Sequence, residues 1–185
     1  MPKHEYLQRV SNYLSNVSTF REDAKKLSEL IRKSTQREGQ IWVIGNGGSA
    51  SLSNHFATDL TLVRSMTIRS HSLAANSSQI SALGNDFEFN KIFSIQLEKF
   101  ARPNDLLVSI SSSGNSRNIL QAISAAKSIG MHTFSVLGFD GGEAQKISEY
   151  SFTVFSDLGD YGPTEDIHSM FLHATREELE FEIKN

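Results

Sequence analysis

Cysteine does not occur anywhere in the 185 residues. Its absence excludes thiol nucleophiles, cysteine-based zinc sites and a disulfide framework. Long apolar runs are missing too. Nothing approaches the roughly 18 to 20 consecutive apolar residues that a membrane helix needs. The opening stretch, MPKHEYLQRVSNYL, lacks the uninterrupted apolar segment of a secretory signal. No membrane partner is expected, and a cytoplasmic location is. There is also no block of one charge sign. Lys and Arg number 18 against 21 Asp and Glu, for a net charge of −3, so no nucleic-acid surface is suggested. Internal repeats and low-complexity segments are likewise lacking.

What remains is an ordinary globular composition, 38% hydrophobic and 21% charged, in a chain long enough to bury a core as one domain over residues 1–185. Residues 3–38 read as helix, with Tyr6, Val10, Tyr13, Leu14 and Val17 at helical spacing and a break at Asn16–Ser18. This leading segment, 1–38, either packs on a partner subunit or covers its own sheet. In the core, 39–185, five stretches read as strands: Gln40–Ile44, Thr67–Ala74, Asp105–Ile110, His132–Leu137 and Ser151–Phe155. Helices are expected at 49–63, 77–83, 90–100, 116–129 and 164–183, with turns at Gly84-Asn85-Asp86 and Gly141-Gly142. Alternation of strand and helix predicts an α/β fold in three layers, a mainly parallel five-stranded sheet with helices on both faces. Ligands of such sheets bind at the carboxyl ends of the strands.

Two unusual loops fall at those ends. The first, Gly45-Asn46-Gly47-Gly48-Ser49, lets backbone amides approach an anion ahead of a helix. It matches a dinucleotide fingerprint formally, through Gly45, Gly47 and Ala50. That fingerprint also wants an acidic residue about 20 positions on, and no Asp or Glu occurs between Asp59 and Asp86. Arg64 or Arg69 leaves only a weak NADP reading, the Walker pattern is absent, and no nucleotide cofactor is expected. The second loop, Ser111-Ser112-Ser113-Gly114-Asn115-Ser116, stands between the strand DLLVSI and a helix. Plain helix capping needs one hydroxyl. Four serines make a neutral cradle suited to the phosphate of a small metabolite.

His55 and Asp59 are four apart and share a helix face. On their own they read equally as a surface pair of little consequence. The last helix carries Glu165, Asp166, His168 and His173. Glu165 and His173 are about 80° apart around a straight helix and roughly 12 Å apart along it, an awkward span for one metal ion. His168, His71 and His132 read as structural.

Taken together, these pieces resemble the sugar isomerase (SIS) domain family and, within it, the phosphoheptose isomerases. The resemblance rests on GNGGSA at 45–50, HFATDL at 55–60, LGNDFEFNKIF at 83–93, SISSSGNS at 109–116, the Gly-x-Asp-Gly-Gly turn at 138–142 and IHSMFLH at 167–173. It implies an aldose–ketose isomerase that acts on sedoheptulose 7-phosphate, makes D-glycero-D-manno-heptose 7-phosphate and serves lipopolysaccharide or capsule precursors. It implies substrate contacts at Asn46, Gly47, Gly48, Ser49, Asn85, Asp86, Ser111, Ser112, Ser113, Asn115, Ser116 and Glu165. It also implies one divalent metal, zinc, at His55, Asp59, Glu165 and His173, with Asp59 as base and His173 as acid. A homotetramer with sites shared between subunits belongs to the same expectation, with the 1–38 helices in the packing.

The chain departs from that pattern. The family's HFAEEL is HFATDL here, so the base, Asp59, is one methylene shorter. The family's last-helix Gln is Glu165, which adds a charge. An Asp that contacts substrate falls on Gly162, with Pro163 after it. These departures leave two alternatives open: isomerisation of a different phosphosugar, or a non-catalytic role as a phosphosugar sensor or a module that binds the replication initiator DnaA.

Overall fold

The computed structural model describes residues 3–181. Helices α1 (Lys3–Ser15) and α2 (Phe20–Gln36) lead the chain, separated at the expected break. Then β1 (Ile41–Gly45), α3 (Gly47–Thr61), β2 (Ser70–Ser72) and α4 (Ser77–Asp86) follow. A 3₁₀ turn at Phe89–Lys91 precedes α5 (Ser94–Phe100). The rest is β3 (Leu106–Ser111), α6 (Arg117–Ile129), β4 (His132–Phe139), α7 (Gly142–Ile147), β5 (Tyr150–Phe155) and α8 (Tyr161–Phe181). The sheet has five strands in the order β2-β1-β3-β4-β5, and every pairing is parallel. The expectation of a mainly parallel sheet thus becomes a wholly parallel one.

Alternation along the strands divides the core. Ile41, Val43, Leu106, Val108, Ile110, Phe134, Val136, Phe152 and Val154 point to one face, which α1, α2, α3 and α8 cover. Trp42, Ile44, Leu107 and Leu137 point to the other, which α5, α6 and α7 cover with Leu97, Ile119, Ile123 and Ala144. Burial on both faces is what a parallel sheet requires. The buried Asp105 carboxylate ties the strand entrances together. It accepts hydrogen bonds from the Gln40 amide, the Trp42 indole and the Arg102 amide, each at 2.8 Å.

Several boundaries differ from the sequence expectations. β2 is three residues, not eight. It is the edge strand, and only Ser70–Ser72 pair with β1. α4 runs through Gly84-Asn85-Asp86, where a turn is expected. Gly141-Gly142 opens into the short helix α7 instead of a simple turn. α8 begins at Tyr161, three residues early, because a proline is tolerated in the first helical turn, whose amides have no intrahelical partner. Residues 182–183 of the expected last helix lie outside the described residues.

His168 is completely buried in α8, and among the described residues neither ring nitrogen makes a hydrogen bond of good geometry. Burial pushes the imidazole down from 6.5 to about 4, and the backbone of Leu137 offsets part of this. The fold therefore holds it neutral, while the unfolded chain binds a proton near pH 6.5. Stability from this group is complete above that pH and is lost as pH falls through about 4. The shift corresponds to something on the order of 3 kcal/mol. Urea unfolding between pH 7 and pH 4 should show a falling midpoint, and His168→Leu should flatten that limb.

Candidate active site

The strand order reverses between β1 and β3, with β2 on one side and β4 on the other. Open α/β sheets bind ligands in the crevice at such a point. The two loops singled out in the sequence meet there, since Gly45 ends β1 and Ser111 ends β3, and Gly45 pairs with Ile110. A cavity of about 130 Å³ lies between them, lined by Asn46, Ser49, Ile110, Ser111, Ser112, Ser113, Ser116, Tyr161 and Glu165. No Lys or Arg is in this lining. Lining residues stand at or just before the N-termini of α3, α6 and α8, where helix dipoles favour negative charge.

The local hydrogen bonds leave donors available for a ligand. Ser116 occupies the N-cap position of α6, yet its side chain makes no capping bond. The Ser112 hydroxyl is buried without a partner. Such an orphan is costly unless something binds it. The other serines shape the loop: Ser111 Oγ accepts the Gly114 amide at 3.1 Å, and Ser113 Oγ accepts the Asn115 amide at 3.2 Å. Asn46 caps α3 by position only. Its amide is locked to that of Asn118 on α6 by reciprocal bonds of 2.9 and 2.8 Å, which fixes one loop against the other.

Glu165 reaches this cavity from α8 and lies against Gly48. A Cβ on Gly48 would sit 2.5 Å from Glu165 Oε2. Burial raises the Glu165 carboxyl above its ordinary value, and the nearby Asp166 charge adds to this.

Further down the same two helices a second group converges. His55 Nε2 and His173 Nε2 are 2.9 Å apart, and Asp59 Oδ2 is 3.4 Å from the first and 3.8 Å from the second. The imidazoles stand nearly perpendicular, at 85°. Both are about half exposed, and Asp59 is mostly covered. Two imidazole nitrogens and a carboxylate oxygen within 4.8 Å of one another form a ligand set that fits a divalent metal. The open side leaves room for substrate or water. Gly48 neighbours Glu165, and His55 neighbours His173, so α3 and α8 run alongside in the same direction. The cavity and the triad are seven residues apart on α3 and eight on α8, roughly 10–12 Å.

The structure thus brings His55, Asp59 and His173 together and leaves Glu165 with the serine loop, away from the triad. Gly47 and Gly48 open α3 beside the cavity. Asn115 stands outside the lining, where its Oδ1 accepts the Glu143 amide at 3.0 Å. Asn85 and Asp86 are exposed on α4, bonded to each other at 2.8 Å, and do not line the cavity of their own chain. Sequence reasoning missed Tyr161, which the expected helix start at 164 placed in a loop, and Asn118. A larger open groove of about 630 Å³ between α5 and α6, lined by Phe87, Lys91, Ile95, Glu98, Leu120 and Gln121 among others, contains none of the site residues expected from the sequence.

Residues 5–138 match the family profile described as SIS domain. The phosphoheptose isomerase of Helicobacter pylori is 33% identical over 172 residues, covering 91% of this chain and 88% of that protein. A probable phosphoheptose isomerase of Thermoplasma acidophilum is 36% identical over 135 residues, covering 71% and 74%. Among solved structures, the phosphoheptose isomerase of Neisseria gonorrhoeae is similar with a TM-score of 0.83 at 29% identity, covering 94% of this chain and 92% of that one.

Calorimetric titration with zinc or cobalt tests the triad. His173→Ala should weaken binding at least about tenfold, while Glu165→Gln should change it only a few-fold. An equal loss in Glu165→Gln would mean that this carboxylate swings onto the ion.

Proposed function

Because the chain belongs to the SIS domain family and, within it, to the phosphoheptose isomerases, we propose that it interconverts sedoheptulose 7-phosphate and D-glycero-D-manno-heptose 7-phosphate. The product would feed heptose into surface polysaccharide such as lipopolysaccharide or capsule. The observation that carries this reading is the two-ended site: a neutral serine cradle at the sheet's switch point, and the His55–Asp59–His173 triad two helical turns below it. An open chain of seven carbons ending in a phosphate ester extends roughly 10 Å, which matches the helical spacing of the two ends. The intact triad weighs against a purely binding role.

The phosphate sits on the free hydroxyls of Ser112 and Ser116 and the first amides of α6. Ser49 and Glu165 meet the sugar hydroxyls along the way. Asn46, braced by Asn118, holds the wall between the loops. At the far end, Asp59 takes a proton from C1, and the electron pair moves to form the enediol as the C2 carbonyl oxygen gains a proton. His173 moves protons between the two oxygens, and Asp59 returns its proton to C2. A carboxylate has two oxygens, so Oδ2 turned to the imidazoles leaves the other for this transfer. A divalent ion held by His55, Asp59 and His173, zinc by the chemistry of those donors, would polarise the carbonyl and stabilise the developing negative charge.

The same reading includes a homotetramer with shared sites. Its support is that Asn85 and Asp86 stand exposed on α4, clear of their own cavity. In an assembly they would complete a neighbour's site, with α1 and α2 available for packing. A cytoplasmic location goes with a soluble phosphosugar substrate, and among the described residues no helix is long and apolar enough to cross a membrane.

Incubation with sedoheptulose 7-phosphate in deuterated water tests the chemistry. Deuterium should enter at C1 of the ketose and C2 of the aldose, as read by NMR. Asp59→Asn and His173→Ala should each slow incorporation by about 10²-fold or more. No incorporation by folded, metal-replete wild type would overturn the assignment of substrate, and turnover of a different ketose phosphate would replace it.

A further inference from the structure

Helix α1 is attached to the rest of the chain in an unusual way. Among its side chains described here, only Tyr13 is buried. Val10 and Tyr13 pack on the core, and the polar contacts described here between α1 and the rest of the chain fall on residues 157–166, the segment that enters α8. The Tyr6 hydroxyl donates to Asp166 Oδ2 at 2.7 Å. Arg9 Nε donates to Asp160 Oδ2 at 2.8 Å. The Tyr13 hydroxyl lies between the Asp160 and Asp157 carboxylates, at 2.9 and 3.1 Å, and accepts the Asp157 amide at 3.3 Å.

This segment also supplies the α8 wall of the cavity, Tyr161 and Glu165. One step of 100° around the helix separates that stripe from the next, which carries Gly162 and Asp166. The second stripe faces α1. Tyr6 packs over Gly162 so closely that a Cβ there would lie 3.1 Å from its hydroxyl oxygen and 3.2 Å from its ring. Position 162 thus has no side chain of its own, and Tyr6 takes the space one would occupy. Burial, with the hydrogen bond to Asp166 adding to it, pushes the Tyr6 hydroxyl up to about 12, so it remains a donor at any working pH.

We propose that Tyr6 is a positioning residue of the active site: seated over Gly162 and bonded to Asp166, it fixes the rotation of the first turns of α8 and thereby holds Tyr161 and Glu165 against the serine loop. This rests on the function proposed above. The latch acts on the phosphate and sugar end, because His173 lies two to three turns further along α8 and is held by α3. Loss of the latch should therefore weaken substrate binding and spare the proton transfers.

The test separates positioning from mere structural support by the split between KM and kcat. A variant that only unfolds part of the sample lowers apparent kcat and leaves KM alone. Tyr6→Ala should instead raise KM for sedoheptulose 7-phosphate about fivefold or more, with kcat within about twofold. Tyr6→Phe, which keeps the ring and loses the bond to Asp166, should fall between wild type and Tyr6→Ala. Gly162→Ala should raise KM in the wild-type background but add nothing in Tyr6→Ala, since its methyl then meets open space. That non-additivity is the signature of direct contact. Unchanged KM in Tyr6→Ala, or a fall in kcat alone that tracks a lower melting temperature, would overturn the proposal. If wild type does not turn over the heptulose phosphate, the functional reading has failed instead. The latch is then judged by calorimetric binding of inorganic phosphate, which Tyr6→Ala must still weaken.

Discussion

The passage of α3 beside α8 governs the whole site, because both of its ends draw side chains from these two helices. With any residue larger than glycine at position 48, the Cβ would press within 2.5 Å of the Glu165 carboxylate. Gly48 thus leaves room for the Glu165 carboxylate at the upper end of the two helices, and His55 and His173 meet two turns later at 2.9 Å. The two ends of the site are therefore not independent features that happen to share a crevice. They are set by one helix–helix contact, backed by the strands from which these elements emerge.

In the proposed function the cavity would bind its anion without a formal positive charge in its lining. Hydroxyls, helix N-terminal amides and the fixed amide pair of Asn46 and Asn118 would do the work that lysine or arginine performs elsewhere. This choice has a consequence for Glu165. A lysine in the lining would hold that carboxylate ionised by pairing with it. Here burial and the Asp166 charge push it the other way, toward the protonated form. A carboxyl group that shares its proton readily can accept from one sugar hydroxyl and donate to another. It can also lie near a phosphate with less repulsion than a fully ionised group would feel.

Much of this arrangement was legible in the residues themselves. Strand and helix alternation gave the layer architecture, and the tetraserine loop, with more hydroxyls than capping can use, drew attention to a stretch that lines the cavity at the switch point. The edge strand was read too long because its apolar residues, Ile68 and Leu73, are buried by packing outside the ladder. α7 was hidden by two glycines with positive φ, at 82° and 55°, which read as a turn and yet open a six-residue helix. Tyr161 was hidden by Gly162 and Pro163, residues that suggest a loop and here form a first helical turn. Periodicity put His55 and Asp59 on one face, but their partner is 118 residues away. Only the resemblance to a known family linked His173 to them. The same resemblance put Glu165 among the metal ligands; its side chain here lines the cavity beside the serine loop, and the clustered His/Asp set is His55, Asp59 and His173.

The spacing of the two ends also constrains how the protein discriminates among phosphosugars. Both ends ride on the same pair of rigid helices, so their separation is fixed by counting residues. Adjusting it would require a slip of one helical turn, about 5.4 Å, far coarser than the roughly 1.5 Å bond that separates substrates differing by one carbon. A ketose phosphate one carbon short would anchor its phosphate and leave its carbonyl short of Asp59. A longer one would crowd the imidazoles. Discrimination by length then needs no moving lid. It follows from two anchoring points that cannot shift relative to each other. In the proposed mechanism the shorter arm of Asp59, compared with the glutamate that resembling sequences carry, would draw the base back toward α3, and the reacting carbon would have to come correspondingly deeper between the two helices to meet it.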